Sequence, residues 1–103
     1  MTPEQEESCL QYEPFAGDRD TRVRVLSDRF ITTKYRHKCN VCLGEFGPRV
    51  RARSRREVYD GRAATFYFCP DCCEAQAKAW EDAGEAIEMR HTIGWQRSRG
   101  EFP

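Results

Sequence analysis

The chain has 103 residues, 39% hydrophobic and 33% charged, with as many acidic as basic side chains. That is one small domain whose apolar burial is a thin source of stability, and no run approaches the roughly 18 apolar residues needed to cross a bilayer. The charge is unevenly placed: residues 1–18 hold five acids and no base, residues 19–56 twelve bases against three acids, and residues 57–103 five bases against nine acids.

Residues 1–20 are acidic, carry two prolines and show no apolar period, so they read as a mobile tail. They contain no apolar export signal, and a reducing, cytoplasmic setting is the expectation. Residues 21–36 hold two β-rich runs, Thr21–Leu26 and Arg29–Tyr35, around Ser27–Asp28. An N-terminal hairpin is expected there, although a single strand also fits. The segment HKCNVCLGEFGP follows, with small residues suited to a tight knuckle around a metal. Pro48–Tyr59 and Ala63–Cys69 read as strands joined by Asp60–Gly61–Arg62, a hairpin signal. From Pro70 the period changes. Cys73, Ala77, Trp80, Gly84 and Ile87 recur at spacings of three and four, the stripe of one helix that Gly94 is expected to stop. The organisation expected is an acidic tail over 1–20, one metal-binding domain over 21–94 and a polar tail over 95–103.

The cysteines carry the sharpest signal. Cys39 and Cys42 form one C-x2-C, Cys69 and Cys72 another, with 26 residues between them. Two residues between cysteines let both sulfurs enter one tetrahedral site, and two such pairs fill it, leaving no open position for catalysis. A structural zinc ion is the expected cofactor. Cys73 is expected to pack in the helix stripe, with replacement of Cys72 as the alternative, and His37 is a possible substitute ligand. Cys9 has no assigned role. A thioredoxin-like reading of CPDC needs a second βα unit, which this chain lacks.

The run EVYDGRAATFYFCPDCCEAQ resembles the TRASH and YHS zinc-binding families through Tyr59, Gly61, Phe66, Tyr67, Phe68, Cys69 and Cys72. The resemblance extends over residues 37–82 and implies a small α+β treble-clef-like fold: a zinc knuckle and β-hairpin followed by a C-terminal helix. It also implies a metal-handling role as one functional alternative.

Arg49, Arg51, Arg53 and Arg55 fall at alternate positions, so on a strand they share one face at spacings of about 6.5–7 Å. Arg22 and Arg24 extend the basic character, and Tyr67 is expected to face outward while Phe66 and Phe68 pack on the helix through Trp80. Such a face fits the phosphates of DNA or RNA. The competing reading is that the row meets the acidic tail or helix of its own chain. No HExxH, nucleophile elbow or Gly-rich phosphate loop is present, so no enzyme is expected. The expectation is a regulatory zinc-finger protein that binds nucleic acid. An acidic protein partner, as for an interaction adaptor of a bacterial or phage system, is the alternative.

Overall fold

The computed structural model describes residues 1–15 and 22–100. Its first element is a helix, α1 (Pro3–Gln11), where the acidic composition predicted a mobile tail. The helix is started by a capping box: the Thr2 hydroxyl accepts from the Gln5 amide and the Gln5 side chain accepts from the Thr2 amide. Pro3 occupies the first turn, and Glu4 and Glu6 lie at the positive end of the helix dipole. Cys9 anchors α1 in the core with no exposed surface. The rest of the expected tail, residues 16–20, lies outside the described residues.

Three antiparallel strands form the main sheet: β1 (Val23–Thr32), β4 (Arg51–Tyr59) and β5 (Arg62–Phe68), in the order β1-β4-β5. The expected N-terminal hairpin is instead one continuous strand with a register shift between Val25 and Ser27. Asp28, between the two expected strands, stays extended within β1, its carboxylate bound by two arginines of β4. The β4–β5 connection is the tight turn read from the sequence, with Asp60 and Gly61 both at positive φ. A small two-stranded sheet, β2 (His37–Lys38) with β3 (Glu45–Phe46), frames the first cysteine pair.

The helical stripe predicted from Pro70 is divided between α2 (Pro70–Ala77) and α3 (Glu85–Ser98). Ala83 and Gly84 take left-handed backbone conformations that no helix interior accepts. Asp82 stabilises the break, its carboxylate accepting from the amides of Gly84 and Ala86 at the start of α3. The break also turns Trp80 outward, 77% exposed, so Phe66 and Phe68 do not pack on it. Gly94 does not stop the helix, which runs through the expected polar tail to Ser98.

The core is built of Phe30, Phe68, Val41, Ile87, small alanines and all six cysteines. With so few large apolar side chains buried, the sulfur cluster occupies the centre of the fold rather than its margin.

Candidate metal centre

Each cysteine pair sits where the backbone turns. Cys39 and Cys42 flank the knuckle between β2 and β3, and Leu43 reverses the chain there with a positive φ. Cys69 is the N-cap of α2 and Cys72 lies in its first turn, so the helix start delivers the second pair. The four sulfurs lie within 4.8 Å of one another, and all four residues are buried. The Cys42 and Cys69 sulfurs are 3.8 Å apart. Tetrahedral metal–sulfur bonds of about 2.3 Å place ligand sulfurs about 3.8 Å apart, so the donor set fits a divalent ion.

Backbone amides point at the sulfurs as a thiolate site requires. Val41 and Cys69 donate to Cys39 at 3.4 and 3.3 Å, Gly44 to Cys42 at 3.4 Å and Cys72 to Cys69 at 3.5 Å. Such donors disperse the negative charge that four thiolates accumulate. Hydrogen bonds from the Cys69 and Cys72 thiols hold Cys39 far below the usual thiol range. The same contacts push Cys69 up to about 12 and raise Cys72 well beyond its ordinary value. A metal ion removes this asymmetry, because every ligand sulfur must then be a thiolate.

Helix α3 supplies the part of the centre that spacing rules did not reveal. Arg90 donates from Nε to the Cys72 sulfur at 3.3 Å, and Arg97 donates to the Cys42 carbonyl at 2.8 Å. Gly94 lies between them on the same helical face and is buried. A Cβ there would overlap the Val41 carbonyl oxygen and come within 3.1 Å of the Cys42 Cα. Glycine therefore lets α3 lie directly on the knuckle. The sequence signal was Arg90-x3-Gly94-x2-Arg97, one face of two helical turns with a side-chain-free centre.

The alternative ligands Cys73 and His37 are engaged elsewhere, as is Cys9, which has no assigned role. Cys73 donates its thiol to the Phe68 carbonyl at 3.2 Å, and Cys9 donates to Gln76 Oε1 at the same distance. His37 stacks on Tyr67 with ring centroids 3.9 Å apart.

The arginine row lies on one face, as alternation predicts, but that face is the inner one. Arg53 has no exposed surface. Its guanidinium makes a bidentate pair with Asp28 at 2.8 and 2.6 Å, and donates to the Cys9 and Tyr12 carbonyls and to Gln76 Oε1. Arg55, also buried, binds Glu57, Asp28 and Glu13. Arg51 forms a bidentate pair with Glu6 of α1. The guanidiniums of Arg53 and Arg55 also lie over the rings of Phe68 and Phe15. The expectation that Arg51, Arg53 and Arg55 form a free binding face is therefore corrected: the acidic N-terminal segment and Asp28 neutralise them. Arg49 precedes β4 at a positive φ and is exposed. Arg22 reaches over Tyr59, donating to its hydroxyl at 3.1 Å.

The opposite face of the sheet carries Arg24, Ser27, Arg29 and Ile31 of β1, Ser54, Arg56 and Val58 of β4, and Thr65 and Tyr67 of β5, as the strand register requires. Arg24, Arg29 and Arg56 are exposed, and no ion pair engages them among the described residues. Beside them a cleft of about 320 Å³ is lined by Ile31, Lys34, Tyr35, His37 and Tyr67. No helix of the described residues is long and apolar enough to cross a membrane. Compared with protein-family models, with curated proteins and with solved structures, the chain matches none.

Proposed function

We propose that this chain is a non-enzymatic zinc protein of treble-clef type that binds unpaired nucleic acid on the outer face of its sheet. The carrying observation is the asymmetry of the two sheet faces. The inner arginines are neutralised within the chain, whereas Arg24, Arg29 and Arg56 are exposed on a face with no acidic side chain at its described positions. Small residues between them, Ser27, Ser54 and Thr65, leave the strands open to a phosphate backbone. The adjoining cleft, walled by Tyr35 (72% exposed), Tyr67 and His37, offers aromatic surface to a base, and Lys34 stands beside it. Zinc suits four buried thiolates with no open coordination position, and its role is to hold knuckle, hairpin and α2 together. Burial of all four ligands argues for retention of the metal rather than its exchange, and so against metal handling.

Binding of a labelled single-stranded oligonucleotide as a function of salt tests this reading. Three phosphate contacts give a slope of log K against log salt of about −2. Arg56→Glu weakens binding and flattens the slope, while Arg51→Gln, on the inner face, leaves both unchanged. Equal losses from the two variants, or a salt-independent affinity, would remove the proposal. Selective retention of an acidic protein instead of the oligonucleotide would transfer the same face to a protein partner.

A further inference from the structure

We propose that the groove between α1 and α2 is a docking site for a basic, extended peptide segment of a partner protein. The groove runs along the helical side of the molecule, away from the outer sheet face, and stands independently of the nucleic-acid reading. It consists of two adjoining clefts, of about 400 and 320 Å³, that share Ser8.

Two independent features point to this occupant. The first is an orphaned donor. Gln76 is 1% exposed and lines the smaller cleft, and its Nε2 is buried without a hydrogen-bond partner among the described residues. The amide cannot be turned over to solve this. Oε1 already accepts from Arg53 at 3.1 Å and from the Cys9 thiol at 3.2 Å, and an NH2 group in its place would face the guanidinium. A buried amide donor left unpaired is costly, and a carbonyl oxygen of a bound backbone completes it. The second feature is charge. The larger cleft is walled by Glu4, Glu74 and Glu81 with Lys78 as its one cation, and no ion pair among the described residues engages those three carboxylates. Trp80 stands on the rim of the smaller cleft, 77% exposed, where an aromatic face attracts a lysine or arginine head group. A donor for main-chain carbonyls flanked by carboxylates and an indole selects a Lys- or Arg-bearing peptide over an acidic one.

The test uses the full-length metal-loaded protein, 15N-labelled, in a Trp95→Phe background so that the fluorescence reports Trp80. A capped hexapeptide of alternating Lys and Gly is titrated against its Glu counterpart. The expected result is a saturable change in Trp80 emission together with a shift of the Gln76 side-chain NH2 resonances, for the Lys peptide only. Glu74→Lys combined with Glu81→Lys, both exposed positions, weakens that binding about tenfold without loss of metal. Failure of the Gln76 resonances to move at saturating peptide, or equal response to both peptides, overturns the proposal. So does self-association of the protein that accounts for the same spectral changes without peptide, which would make a second copy the occupant.

Discussion

Replacing Gly94 by alanine tests how α3 is held against the metal site. The added Cβ meets backbone, not a flexible side chain: besides overlapping the Val41 oxygen it lies 3.0 Å from the Val41 carbonyl carbon and 3.1 Å from the Cys42 Cα. The overlap with the Val41 oxygen is the tightest of these, and relieving it takes a retreat of the helix by roughly 1 Å or more, or a deformed knuckle. Two effects oppose each other. Alanine gains about 1 kcal/mol over glycine in a helix interior, and overpacking of this kind costs about 1–3 kcal/mol. Retreat also lengthens the Arg90 contact to the Cys72 sulfur, now 3.3 Å, and the Arg97 contact to the Cys42 carbonyl, now 2.8 Å. The net expectation is a loss of about 1–2 kcal/mol, a fall in Tm of roughly 5–10 °C for a domain of this size, and faster metal loss to a chelator. Thermal denaturation and a colorimetric chelator assay read the two effects. A variant as stable as the parent, releasing metal at the same rate, would refute the close docking of α3.

Three further outcomes follow from the same geometry. Arg53→Met leaves Asp28 short of its bidentate partner and removes the donor that orders Gln76. A destabilisation of about 3–5 kcal/mol is expected, read by urea denaturation, whereas the exposed pair partner Arg51 tolerates replacement by Gln with no measurable shift of the midpoint. Arg90→Gln keeps the fold but removes the cation beside Cys72, so metal dissociates at a higher pH during acid titration than in the parent. The sign follows from linkage: ligand sulfurs must be deprotonated, acid competes with the metal, and a cation beside a thiolate resists that protonation. Chelation of the metal under reducing conditions abolishes the cooperative thermal transition, because the remaining core has few large apolar side chains.

The parts of this structure legible from sequence are those fixed by short-range chemistry. C-x2-C spacing brings sulfurs together whatever surrounds it, and Asp60–Gly61 makes a tight turn by its own backbone preferences. The capping box of α1, Thr2 with Gln5, is local too, but the acidic composition around it points to a mobile tail. Alternation correctly placed Arg51, Arg53 and Arg55 on one side of β4, yet could not say which side is buried. The other side holds Ala52, Ser54, Arg56 and Val58, so neither face is clearly apolar. The decision rests on Asp28, Glu6 and Glu13, which lie between 25 and 45 residues away in sequence. The break before α3 was hidden because its stripe keeps helical spacing through Gly84. α2 ends at Ala77, and the turn that follows it closes on the left-handed backbone of Ala83 and Gly84, where Asp82 caps the start of α3.

The four-cysteine centre is tested most directly by X-ray absorption at the metal edge of the purified, reduced protein. One zinc per chain with four sulfur neighbours at about 2.3 Å and no nitrogen is expected. A mixed sulfur–nitrogen shell, which would bring His37 into the site, or a chain that folds with no bound metal would contradict it.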